Sequence, residues 1–276
     1  MRFCMNVLIT GASGGLGRAL ANECAGRGFD LFLTDINEEG LLALRRGLRR
    51  RFGVSVVTAA CDLTSAGGVD ALLAQIDSAG LRFDMLLNVA GRDFEGGFLE
   101  REREDLVQIV ALNNEATLRI THAILRRRKE GQPFYLLFTS SLACMYPMPL
   151  KATYAASKRF LLEMALALGE ELREQRVNVL ALCPGGMPTT QGAMRRIAAQ
   201  GFWGGVTANP TEVVCRRAIG RLLKRSGVYV PGVFNRALVF FGKLLPRRWV
   251  AAAICRRWRR AQKRWMPHSA QEAPER

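Results

Sequence analysis

An apolar run at residues 6–10 feeds into Thr10-Gly-Ala-Ser-Gly-Gly-Leu-Gly17, and a helical pattern follows over 16–27. Glycines let the backbone turn sharply and remove side chains that would hold a ligand away from it. The helix that starts where the loop ends offers unpaired N–H groups and a dipole that favour negative charge, such as a pyrophosphate. A plain tight turn would also use glycine; the position between strand and helix is what points to a nucleotide. Gly11, Ser13, Gly15, Leu16 and Gly17 are therefore the candidate contacts.

The same alternation continues along the chain. Strands are predicted at 29–34, 54–60, 85–89, 134–139 and 177–183, with a short edge strand at 228–230. Helices are predicted at 38–51, 69–78, 103–128, 153–175 and 211–225, and a Gly/Pro-rich loop runs up to Pro210. Continuously apolar strands separated by helices argue for a doubly wound parallel sheet of Rossmann type, α/β, covered on both faces. No internal repeat or linker divides it. Residues 1–232 read as one domain, 233–265 as a helical extension, and 266–276 as a polar tail expected to be disordered.

A net charge of +16 makes an anionic partner plausible without naming it. The 7 cysteines are scattered without a C-x-x-C pair and only 2 histidines are present, so neither a disulfide framework nor a metal site is expected. Reduced thiols suit a cytoplasmic protein. No secretory leader is expected, and the best apolar run, 237–255, is broken by Lys243, Pro246, Arg247 and Arg248, which excludes a spanning helix there.

Asp35 ends the second strand, where an acid can hydrogen-bond adenosine ribose hydroxyls; it could equally cap the next helix. Neither Gly14 nor Ile36 nor Asn37 supplies a cation for a 2′-phosphate, which favours NAD over NADP. Tyr154-Ala-Ala-Ser-Lys158 opens a predicted helix, and the i, i+4 spacing sets phenol and ammonium on one face. A neighbouring cation favours phenolate, so the tyrosine could exchange a proton with an alcohol or ketone. Ser140-Ser141 lies at a strand end, where active-site groups gather.

The glycine loop, Asn88-Val-Ala-Gly91, Asn113, Ser141, Tyr154-x-x-x-Lys158 and Pro184-Gly185 together resemble the signature of the classical short-chain dehydrogenase/reductase family, over residues 5–230. The resemblance implies Tyr154 as general acid/base, Lys158 as the partner that lowers its pKa and holds the nicotinamide ribose, and Ser141 as the group orienting the substrate oxygen. Asn113, rather than adjacent Asn114, would hold a relay water. Asp62 and Leu63 would contact the adenine, although Asp62 could simply form a turn. Asn88 would stabilise the central strand, with the cofactor passing Ala90 and Gly91; Val89 replaces the usual second asparagine. Pro184, Gly185 and Thr189 would cover the nicotinamide, Thr189 binding its carboxamide, with Pro188 stiffening the loop.

By the same resemblance, Phe94, Phe98, Met145, Tyr146, Met148, Phe202 and Trp203 fall in segments that line or lid the substrate cleft. They suit a steroid or an acyl chain, or serve only packing. The reading is an oxidoreductase of secondary alcohols and ketones, expected as a homo-oligomer; the rival is a catalytically silent nucleotide sensor or membrane scaffold. In the C-terminal stretch, Val250, Ile254, Trp258, Ala261 and Trp265 share one helical face, opposite Arg256, Arg257, Arg259, Arg260, Lys263 and Arg264, while Trp249 falls off the stripe. Such a helix could rest peripherally on an anionic membrane, or dock on the enzyme or a second subunit. No motif for reading bases accompanies it, so nucleic acid is not an expected partner.

Overall fold

The computed structural model describes residues 5–242 and 244–269. Its strands are β1 (Asn6–Thr10), β2 (Asp30–Asp35), β3 (Val56–Ala60), β4 (Met85–Asn88), β5 (Phe134–Thr139), β6 (Val177–Leu182) and β7 (Gly227–Tyr229). All pair in parallel, in the order β3-β2-β1-β4-β5-β6-β7. The doubly wound sheet expected from the strand composition is present. Period-two alternation makes both faces apolar: Val7 and Ile9 of β1 point into one core and Leu8 into the other.

The first core lies under α1 (Gly15–Gly26), α2 (Glu38–Phe52) and α9 (Thr211–Leu222). The second lies under α3 (Ala66–Ser78), α5 (Thr117–Leu125) and α6 (Ala152–Glu171). Strand order reverses between β1 and β4, which opens the crevice beyond the carboxyl ends of these strands.

Three expectations need correction. The helix predicted across 103–128 is divided into α4 (Arg103–Val110), a π-helical turn (Ala111–Ala116) and α5. The stretch read as loop before Pro210 folds into α7 (Gln191–Ala199) and α8 (Phe202–Thr207). The extension is two helices, α10 (Val233–Gly242) and α11 (Arg247–Ser269), separated at Pro246, whose ring and missing N–H suit a helix start. Residues 266–269, read as tail, thus carry helical backbone, and 270–276 lie outside the described residues. Among the described residues no helix is long and apolar enough to cross a membrane.

Candidate active site

The glycine loop is closed by backbone rather than side chains. Gly11 takes φ 63°, and a Cβ on Gly17 would lie 2.1 Å from the Gly11 carbonyl oxygen. The Thr10 hydroxyl accepts from Val89 N at 3.1 Å and Ala90 N at 3.2 Å, tying the loop to the end of β4. Leu16 packs on the first core, while Gly14, at the α1 N-cap, leaves the helix start without a side-chain cap. A Cβ on Gly15 would come 2.3 Å from Thr189 Cβ, so the segment after β6 lies against the loop. Uncapped N–H groups at the bottom of this glycine-lined loop fit a pyrophosphate.

Asp35 is not the cap of α2: Asn37 is, its Oδ1 accepting from Gly40 N at 2.9 Å. Asp35 instead accepts from Ser13 N at 2.9 Å and Asn37 N at 3.1 Å, which holds the carboxylate beside the glycine loop. Asp62 is exposed, and its Oδ1 accepts from Thr64 N at 2.9 Å and Thr64 Oγ1 at 2.7 Å. That is the turn-forming use of an aspartate. Leu63 beside it is buried in the second core.

The π-helical turn explains why Asn113 and Asn114 can both point inward. Asn113 Nδ2 donates to Ser157 Oγ at 2.9 Å and its Oδ1 accepts from Arg92 N at 2.8 Å, while Asn114 Nδ2 donates to the Ser157 carbonyl at 2.9 Å. A widened turn commonly marks a functional position. A Cβ on Gly91 would lie 3.0 Å from both Asn113 Oδ1 and Lys158 Nζ, so both groups converge on this glycine. Asn88 braces the strand end, donating to Thr121 Oγ1 at 2.9 Å.

Lys158 is buried and its Nζ donates to the Thr139 carbonyl at 2.9 Å, 5.8 Å from the centroid of the Tyr154 ring. Burial pulls this ammonium down to about 8, against the pull of Asp93. Burial and the Asp93 carboxylate push the Tyr154 phenol up, outweighing the neighbouring Ser141, which favours the ionised form. The expected lowering of the Tyr154 pKa is therefore not what this geometry produces. The Pro184 carbonyl accepts from Leu142 N at 2.8 Å, which fastens the segment of Gly185 and Thr189 to the turn after Ser141.

Sequence reasoning missed Lys151 and Asp93. Lys151 Nζ pairs with Asp93 Oδ2 at 2.5 Å and Glu95 Oε2 at 3.4 Å, and stands 5.6 Å from the Tyr154 ring centroid. Only its position, one turn ahead of Tyr154, could have drawn attention to it. Its other side is covered by Trp258, 5.2 Å from Nζ to ring centroid and 8% exposed. Arg257 stacks over Trp203 at 5.3 Å and donates to Gln200 Oε1 at 3.4 Å. Trp258, at the centre of the stripe offered to a membrane, thus docks on the protein's own body, where it finds a cation and buried surface. Arg257 belongs to the inner side, and the side chains of Ala261, Lys263, Arg264 and Trp265 lie outside the described residues.

Comparison with known proteins agrees with this architecture. The short chain dehydrogenase model matches residues 5–200. A very-long-chain 3-oxoacyl-CoA reductase of Neurospora crassa is 32% identical over 235 residues, 83% of this chain and 68% of that protein. Its counterpart in Laccaria bicolor is 31% identical over 176 residues, 62% of this chain, and the match spans about half, 52%, of that relative. Among solved structures, a 3-oxoacyl-[acyl-carrier protein] reductase with bound NAD from Brucella melitensis superposes with TM-score 0.71 at 25% identity, covering 83% of this chain and 91% of its own. A short-chain dehydrogenase from Sphingobium yanoikuyae in complex with NADPH also reaches 0.71 at 25% identity, covering 98% and 99%. From the glycine loop to the segment after β6, the chain belongs to the short-chain dehydrogenase family.

Proposed function

We propose that the protein is an NAD(H)-dependent oxidoreductase that interconverts a ketone and a secondary alcohol on an apolar, acyl-chain substrate. The observation that carries this reading is the convergence of Lys158 Nζ and Asn113 Oδ1 on Gly91, with the Tyr154 ring centroid 5.8 Å from the same Nζ. The uncapped α1 start and its glycines would hold the pyrophosphate, Asp35 the ribose, with Asp62, Leu63 and Ala90 near the adenine side. Thr189, Pro184 and Gly185 would cover the nicotinamide, which when bound supplies or accepts the hydride.

The remaining steps belong to the chain. Tyr154, protonated at neutral pH, gives its phenolic proton to the substrate oxygen as the carbonyl becomes an alcohol. Ser141 donates a hydrogen bond to the same oxygen. The Lys158 ammonium stabilises the phenolate left behind, and the Asn113 turn positions the water that resupplies the proton. Trp258 covers Lys151, one turn ahead of Tyr154, from solvent.

Asp35 speaks for NAD, because a 2′-phosphate would meet its carboxylate. The neighbours bind one or the other dinucleotide, so they support the class of cofactor and not the choice. The names of the fungal relatives support an acyl-chain ketone over a steroid. We read residues 1–232 as the catalytic domain and 233–265 as an extension, in a cytoplasmic homo-oligomer; free thiols at all six described cysteines fit a reducing compartment. The test is NADH oxidation over a panel of ketones that includes long-chain 3-oxoacyl thioesters. Turnover of the thioesters that vanishes in Tyr154→Phe supports the reading; nucleotide binding without turnover of any ketone overturns it in favour of a silent sensor.

A further inference from the structure

With Trp258 of α11 buried, a different apolar surface remains. Val233, Phe240 and Phe241 lie on one face of α10 and are 75%, 64% and 62% exposed. Leu244, Leu245 and Trp249 continue the exposed run across the turn into α11. Exposed aromatic and leucine side chains in such number mark a binding surface more often than an ordinary exterior.

Arg236 shares that face, three residues after Val233 and four before Phe240, and also lines an open groove of ≈ 700 Å³. The other cations there are Arg217, Arg221, Lys224 and Arg225, with Tyr229 at the wall under the Arg221 guanidinium. No Asp or Glu lines the groove, and none of its five cations is in an ion pair among the described residues. Five cations gathered without a counter-charge raise each other's energy until an anion arrives.

We propose that the protein docks peripherally on an anionic phospholipid surface, with the α10 ridge entering the headgroup boundary and the neighbouring groove taking lipid phosphates. Charge chooses this occupant over a second copy: a symmetric self-contact would set the arginine row against itself. A nucleic acid would use the cations and leave the phenylalanine ridge in water, whereas a leaflet satisfies both at once. The α10 ridge lies beside two of the residues read as lining the substrate cleft. Phe234 of α10 packs 5.8 Å from Trp203, and Gly242 approaches so near Tyr146 that a Cβ would lie 2.4 Å from its ring. Delivery of an acyl chain from the membrane rests on the proposed function; docking itself does not.

The experiment is co-sedimentation of the full chain with vesicles of phosphatidylcholine alone or mixed with phosphatidylserine. Binding should be at least about tenfold tighter to the mixed vesicles and weaken steeply with salt. Arg217→Ala/Arg221→Ala/Arg225→Ala should lower it about a hundredfold. Phe240→Glu/Phe241→Glu should abolish pelleting, with circular dichroism and ketone turnover on soluble substrate as controls for folding. Equal binding to both vesicle types overturns the proposal. So does a ridge variant that binds as the parent does while the groove variant fails, because the groove would then serve a soluble polyanion.

Discussion

Replacing Lys158 with methionine should make the protein more stable and nearly inactive at once. The lysine is 4% exposed, and burial draws its pKa from 10.5 to about 8. Keeping that charge at neutral pH costs the folded state about 3 kcal/mol. Methionine has nearly the same length and shape and carries no charge. Its cost is the hydrogen bond to the Thr139 carbonyl, which leaves a buried acceptor unmatched at about 1–2 kcal/mol. A net gain of about 1–2 kcal/mol remains, which raises the melting temperature by roughly 2–6 °C in a chain of this size. The gain should depend on pH. Above pH 8 the folded lysine sheds its proton, whereas the unfolded one holds it to about 10.5, so the unfolded chain binds more protons and parent stability rises through that window. The advantage of Lys158→Met should therefore be widest at pH 7 and fade towards pH 10. Turnover should fall about a hundredfold or more, because the phenolate of Tyr154 loses its cation. The assay is thermal unfolding by circular dichroism across pH, paired with NADH oxidation. A variant with native spectrum that melts at or below the parent at pH 7 would refute the reasoning.

Tyr154→Phe should lower turnover by about 100-fold or more while dinucleotide affinity, measured by fluorescence titration, changes only a few-fold, since the ring is kept and the donor removed. Asp35→Ala should narrow or reverse the preference for NAD in kcat/KM, because Arg18, whose Nε donates to the Ser13 carbonyl at 2.6 Å, leaves a cation beside the loop once the carboxylate is gone. Gly17→Ala should cost about 3 kcal/mol in urea unfolding, as the added methyl meets the Gly11 carbonyl and the backbone must move. Trp258→Ala should raise KM for bulky ketones more than it lowers kcat, by uncovering Lys151 at the cleft mouth.

Strand and helix alternation, the glycine loop and the Tyr154/Lys158 pair were all legible in the residues. Each depends on periods of two, three or four positions, which the chain displays without being folded. The convergence of Asn113 on Lys158 was not legible, because a π-helical turn held by Ser157 and Arg92 sets it. Local propensity over 103–128 describes only a continuous helix. The direction of the Tyr154 pKa escaped for a related reason. The i, i+4 spacing announces a cation nearby, but burial and Asp93, which is distant in sequence, decide the balance.

The C-terminal helices show the same division most sharply. An apolar stripe opposite arginines says that α11 has a side to bury, and that much is written in the sequence. Which surface receives it depends on the position of Lys151, Gln200 and Trp203, brought together from two separate segments. Amphipathicity is a property of one helix; its partner is a property of the whole fold. Only the tertiary structure could bury Trp258 and leave Phe240 and Phe241 outside, because the ground α11 occupies is made by residues from more than fifty to more than a hundred positions earlier in the chain.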